Sequence, residues 1–347
     1  MSNKAGLYIH IPFCFSKCPY CDFYSNKYCK KDAFNYCEKV IEQMSEFEST
    51  EFDTVYFGGG TPSAIPYTLI EKILKNAKNQ FKIEKNSEIT IECNPGDNIN
   101  FLAEKYAEMG INRVSLGLQS ANDTERRLLG RRAGADEIKK AVFALQNAGI
   151  SNISVDLMLG IPRQTIDSLK YSIDFISSLN IKHISAYILK IEEGTKFFEM
   201  KKNGRLILPN EDETCDLYLK AVELLEKNGF YQYEISNFSK PDFESRHNLK
   251  YWKLDNYLGL GATAHSFFNN ERFFFNENFE KVFEGFGGDE EEKIMLGLRL
   301  KKGINKSLLK KDFQKFVNLG YIKEKDENIF LTPKGMLISN YIISELI

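Results

Sequence analysis

Leu7-Tyr-Ile-His-Ile-Pro-Phe13 runs directly into Cys14-Phe-Ser-Lys-Cys18-Pro-Tyr-Cys21, and the reading of this stretch decides the rest of the chain. The apolar run has the composition of a short strand, and three cysteines follow it on a loop with the spacing C-x3-C-x2-C. Thiolates clustered this tightly hold a metal centre. A structural zinc site closes with four protein ligands. A [4Fe–4S] cluster has four irons, so three cysteines leave one iron open to an outside ligand. That open iron is what the remaining motifs must explain.

Outward from the cysteines, strand and helix alternate as far as about Leu189. Short β-rich runs begin near Leu7, Thr54, Glu88, Asn112, Asn152 and Lys182, and amphipathic stretches separate them. Ile166, Leu169, Ile173 and Ile176 recur on one helical face, with Thr165 placed to cap the first turn. Leu102, Tyr106 and Met109 share another face, which Gly110 stops; Gly149 stops the helix of Ile138, Val142 and Leu145. Six βα units in succession demand an α/β fold with a parallel sheet. Periodicity does not separate an open sheet from a partial barrel, but in both the chemistry belongs at the C-terminal strand ends. The expected divisions are a barrel-like core over 1–230, an aromatic and Gly-rich segment over 231–287, and a small helical, winged-helix-like domain over 288–347.

The bulk composition is that of an ordinary globular protein. The 347 residues are 27% charged and 43% hydrophobic, with a net charge of −2. Seven cysteines, an odd number without a secretory signal, point to free thiols and a reducing cytoplasm. No segment approaches the roughly 18 apolar residues of a membrane span. Arg299 to Lys325 carries nine Lys or Arg against Asp312 and Glu324. Without a base-reading signature it reads as a solvated face, and no nucleic-acid partner is expected.

Further polar residues fall at later strand ends. Gly58-Gly-Gly60-Thr-Pro62 follows the second strand; it reads either as a tight turn or as a cradle whose bare backbone admits a ligand. Glu92, Gln119 and Asp156 end or interrupt the third, fourth and fifth strands, and Arg131 follows the fourth. A carboxylate in an apolar strand costs several kcal/mol unless something pairs with it. Convergence at one sheet end points to a charged, hydroxyl-bearing ligand, and S-adenosylmethionine (SAM) fits that description.

Together these motifs resemble the SAM site of the oxygen-independent coproporphyrinogen III oxidase superfamily of radical SAM proteins, from about Leu7 to the C-terminus. The resemblance implies a partial (β/α)6 TIM-like barrel with a smaller α-rich C-terminal domain. It implies cluster ligation by Cys14, Cys18 and Cys21, with Tyr8, Tyr20, Gly59, Gly60, Thr61, Glu92, Gln119, Arg131 and Asp156 around SAM. The true oxidase has a fourth cysteine two residues after the third, and here that position is Phe23. Cys21-Asp-Phe23 instead resembles the HemW haem-chaperone branch, as do Tyr233-Glu-Ile-Ser-Asn237, His247-Asn-Leu-Lys-Tyr-Trp252 and Tyr257 to His265. One departure is Ala133, where the family often has histidine.

His247 reads in two ways: a buried histidine bonded to its surroundings, or, as the branch implies, an axial ligand for haem iron flanked by Tyr251 and Trp252. The branch implies haem as cargo, delivered to apo-haemoproteins, membrane-bound respiratory ones among them, by a chaperone that is an enzyme only if SAM is cleaved. A homodimer is compatible with it. The alternative is radical decarboxylation of coproporphyrinogen III in porphyrin biosynthesis.

Overall fold

Strand residues alternate between two faces, and that alternation shapes this molecule. The structure is a computed structural model describing residues 4–48 and 50–347. β1 (Ala5–Ile11) sends Leu7, Ile9 and Ile11 to one face, all at 0% exposure, and Gly6, Tyr8 and His10 to the other. β2 (Phe13–Cys14) and β3 (Asn26–Lys27) pair with each other and close the cysteine loop at its base. The same alternation runs through β4 (Glu51–Gly59), β5 (Lys82–Cys93), β6 (Arg113–Gln119), β7 (Asn152–Leu159) and β8 (His183–Ile188). Val55, Ile91, Val114, Leu116, Val155 and Ile184 face outward, each fully buried. Burying each such side chain stabilises by about 1.5–3 kcal/mol, an upper figure because the unfolded chain is itself partly collapsed.

These apolar faces are covered by α1 (Lys30–Met44), α2 (Tyr67–Gln80), α3 (Ile99–Met109), α5 (Ala135–Asn147), α6 (Ile166–Ser177) and α8 (Glu211–Lys227), while α4 (Asp123–Leu128) precedes α5 and α7 (Lys196–Lys202) packs Phe197 into a separate small cluster with Leu129, Met158 and Ile161. Local signals set their ends. Thr165 Oγ1 accepts from the Ser168 amide at 3.2 Å, starting α6, and Gly110 ends α3 in a left-handed conformation at φ 87°.

β1, β4, β5, β6, β7 and β8 lie side by side in that order, all parallel. The stretch 231–287 widens this sheet at both edges. β9 (Tyr231–Gln232) and β10 (Asn237–Ser239) add antiparallel strands beside β8. Beyond β1, β11 (Tyr257–Leu260) pairs in parallel, and β12 (His265–Phe268), β13 (Glu271–Phe275) and β14 (Lys281–Phe286) complete twelve strands. β8 and β1 do not pair, so the barrel is partial. Between these strands α9 (Arg246–Lys253) packs against β1 and β4. The last region carries α10 (Glu290–Gly297), α11 (Gln314–Asn318), α12 (Pro333–Leu337), α13 (Ser339–Leu346) and a small sheet of β15 (Ile304–Asn305), β16 (Ile322–Lys325) and β17 (Asn328–Leu331).

Candidate functional site

The inward faces of the strands are polar. Thr54 and Tyr56, Thr90 and Glu92, Arg113 and Ser115, Ser154 and Asp156, and Ser185 and Tyr187 alternate with the apolar residues above. They enclose a cavity of about 1010 Å³, lined by residues of β4 to β8 and roofed by the cysteine loop. Cys14, Cys18 and Cys21 all line it and carry free thiols. So do Tyr20, Gly59, Gly60, Thr61, Glu92, Gln119, Arg131 and Asp156; Tyr8 and His247 do not.

The roof is tied down from several sides. His10 on β1 holds Tyr24 O through Nε2 at 3.2 Å and Tyr8 OH through Nδ1 at 3.1 Å, fixing the chain just past Cys21. Thr61 Oγ1 lies 3.4 Å from Cys14 Sγ, and Arg131 Nη1 lies 3.7 Å from Cys18 Sγ. A hydroxyl and a guanidinium beside two sulfurs offset the negative charge that cluster thiolates carry. Among the described residues no three His, Cys, Asp or Glu side chains converge on one ion position. Three free thiols on one cavity-lining loop, with a hydroxyl and a guanidinium beside two of them, form a donor set chemically suited to a thiolate-bound cluster.

Arg131 reaches its place because Gly117 has no side chain. Its Nη2 donates to Gly117 O at 2.7 Å, and a Cβ on Gly117 would stand 2.4 Å from the same nitrogen. A register shift between Gly117 and Gln119 re-aims the end of β6. Gln119 then sits at φ 72°, an uncommon conformation for a non-glycine residue, and its Oε1 accepts from Tyr187 OH at 3.1 Å.

The triple glycine works by space rather than by free donors. Gly59 N donates to Glu92 Oε2 at 3.2 Å, Gly60 N to Ile11 O at 2.9 Å, and Thr61 N to Phe13 O at 2.8 Å. A Cβ at Gly59, where φ is 113°, would strike the His10 ring at 2.6 Å.

Burial dominates the electrostatics. It pushes Glu92 up to about 7 against the pull of hydrogen bonds from Tyr56 OH (2.8 Å) and Gly59 N. Burial likewise pushes Asp156 up to about 6, although Ser115 Oγ donates to it at 3.2 Å. The Cys14 and Cys21 thiols are also raised by burial. A cationic ligand brought among these carboxyls would favour their ionised forms.

His247 lies at the other end of the barrel. It is fully buried, with Nδ1 2.8 Å from Thr54 Oγ1 and Nε2 2.8 Å from Tyr251 OH, so both ring nitrogens are engaged. Burial, with Lys250 and Arg113 nearby, lowers its pKa to about 3 and keeps the imidazole neutral. Glu88 accepts from the amides of Arg246 and His247, each at 3.1 Å, and Lys250 stands 2.8 Å from Asp53 Oδ1, an ion-pair distance without hydrogen-bond alignment. α9 therefore plugs the N-terminal mouth of the barrel. His183 has a similar setting, between Ser154 Oγ and Tyr233 OH at 2.8 Å each, whereas His265 is exposed beside Glu284.

Sequence reasoning singled out the strand ends but passed over Arg113, Ser115, Tyr56 and Tyr187 within the strands. The signal was there: Arg113-Val-Ser-Leu-Gly-Leu-Gln119 alternates polar and apolar at period two, whereas a parallel strand covered on both faces is apolar throughout.

An open parallel barrel roofed by a three-cysteine loop is the arrangement of a radical SAM protein, and residues 8–176 match the radical SAM superfamily model. Over its whole length the chain is 31% identical to the heme chaperone HemW of Lactococcus lactis, covering 98% of that protein. It is 32% identical to the Bacillus subtilis heme chaperone HemW, over 96% of this chain and 97% of the relative. The chain thus belongs to the HemW family within the radical SAM superfamily. Among solved structures, coproporphyrinogen III oxidase (HemN) from Escherichia coli superposes with a TM-score of 0.84 at 19% identity, over 99% of this chain and 90% of that one. At that identity the likeness is one of fold. No helix among the described residues is long and apolar enough to cross a membrane.

Proposed function

We propose that this chain is a cytoplasmic haem chaperone that carries a [4Fe–4S] cluster on Cys14, Cys18 and Cys21, binds SAM beneath it, and passes haem to apo-haemoproteins, membrane-bound respiratory enzymes among them. The observation that carries this reading is the end-to-end match to heme chaperones; Phe23, at the position where the resembled oxidase motif has a cysteine, agrees with it. A cluster with one free iron chelates SAM and can reduce it. Around that group Arg131 and Thr61 would steady the sulfurs, Gln119 and Tyr187 would meet hydroxyls, and Glu92 with Asp156 would face the cationic part. Tyr8 would stiffen the wall through His10 rather than touch the ligand.

His247 is the proposed iron ligand. It takes that role only once Thr54 and Tyr251 release its ring, which requires α9 to move. The test is anaerobic haem titration of the cluster-loaded protein and of His247→Ala. Loss of the Soret band or of its ligand-field signature in the variant is expected; identical affinity and spectra would remove His247. Production of protoporphyrinogen from coproporphyrinogen III at an enzyme-like rate would overturn the chaperone reading itself.

A further inference from the structure

Arg113 is the first residue of β6 and one of the largest fully buried side chains, at 1% exposure. Its guanidinium lines the cavity, yet Nε is buried with no hydrogen-bond partner, and no carboxylate of the described residues comes within ion-pairing distance of it. The two cavity carboxylates feel its charge but take their hydrogen bonds elsewhere, Glu92 from Tyr56 and Gly59, Asp156 from Ser115. Asn237, opposite Ser185 on β10, also lines the cavity, and its Oδ1 is buried without a partner. A buried neutral group can be satisfied by water, but a buried charge without a hydrogen-bonded counter-ion costs several kcal/mol. Arg113 lies six residues from Gln119 along β6, about 20 Å at the usual rise of roughly 3.3 Å per residue. The cluster loop and Arg131 occupy the far end, so this cation is not needed there.

We infer that the lower part of the barrel is a second subsite, in which Arg113 anchors a carboxylate group of a bound ligand. Guanidinium and carboxylate match as a two-pronged, charge-assisted pair. Two sources share this chemistry: a propionate of haem, which rests on the chaperone reading above, and a free small carboxylic acid, which does not.

The test uses cluster-loaded wild type, Arg113→Met and Arg113→Lys. Each is titrated with haem, with haem dimethyl ester, and, by thermal shift, with succinate and its diamide. If propionate is the anchor, wild type prefers haem over the ester by about tenfold or more, and Arg113→Met erases the preference. If a small acid is the ligand, haem and ester bind alike while succinate, not the diamide, stabilises wild type and loses its effect in Arg113→Met. Arg113→Lys retains part of either response. Ligand-free Arg113→Met loses a cation that faces Glu92 and Asp156 without touching them, so it is expected to fold and to melt only modestly lower than wild type. Equal haem and ester binding with no succinate effect overturns the subsite, as does a ligand-free Arg113→Met that fails to fold, which would make Arg113 structural. Failure of wild type to bind any haem would sink the chaperone reading while leaving the succinate arm to judge Arg113.

Discussion

Glu92 shows how one residue couples protonation to ligand binding. Burial lifts its pKa from 4.5 to about 7, with Tyr56 and Gly59 pulling against it and Asp156 adding to it; Arg113 is the cation facing it from β6. A raised carboxyl means that the folded chain keeps a proton the unfolded chain has lost. The contribution to stability therefore falls as pH climbs from about 4.5 towards 7. His247 and His183 work the other way, because lowered imidazole values make stability rise from low pH towards about 6.5. Melting curves thus mix opposed terms, and ligand affinity is the cleaner readout. SAM brings a sulfonium and an ammonium, so its seating favours ionised Glu92 and Asp156. SAM affinity should rise between about pH 5 and about pH 8, by at most about tenfold per pH unit for each proton released, and Glu92→Gln should flatten most of that slope. Calorimetric titration in two buffers of different ionisation enthalpy would count the protons. A slope unchanged in the variant would show that Glu92 does not face the cation.

At the scale of the element, α9 governs access to His247. It is seated by Glu88 at its first amides, by Ser245 as N-cap and by Lys250 against Asp53. Lys250→Met removes a buried charge partner while Arg246 still reaches Asp53 at 3.3 Å, so a loss of about 1–3 kcal/mol is expected. Amide exchange across 246–253 should speed up, and haem should associate faster because the imidazole is freed more often. An unchanged association rate would mean that haem does not enter past α9. Its residues stood out in the sequence as the motif His247-Asn-Leu-Lys-Tyr-Trp252, but neither the helix nor its position was foreseen. Nothing local in those residues states that they seal a barrel mouth, because that depends on Thr54, Glu88 and Asp53, about 160 to 200 positions away. The six strand–helix units were readable because period-two and helical patterns are local. So were the cysteines and strand-end carboxyls, whose chemistry is unusual for their surroundings. The mid-strand polar residues escaped because each alone resembles an ordinary strand residue, and only the alternation in several strands together reveals a wet interior.

For the whole molecule, the sheet is built from both ends of the chain. β11 lies beside β1 with Leu7 opposite Leu258 and Ile9 opposite Leu260, while β9 and β10 extend the other side. The strands within 231–287 were not foreseen, since their short aromatic and Gly-rich runs carry no βα rhythm. They are integral to the core: Leu258, Leu260, Phe273 and Phe275 are all at or below 1% exposure. A chain ending at residue 256 should therefore leave one edge of β1 unpaired and apolar, lose cooperative unfolding and aggregate. Iron and sulfide analysis after anaerobic reconstitution would show sub-stoichiometric loading; full loading with a sharp melt would contradict this account.

The pairing of β1 with β11 also sets a schedule for biosynthesis. The thiol-bearing loop leaves the ribosome long before β11, and the strand supporting it completes its backbone bonding only after Leu260 has emerged. Nascent chains must keep three neighbouring thiols reduced and uncommitted throughout that interval. Cluster loading onto the finished support would accordingly wait for β11, with the thiols open to oxidants until then.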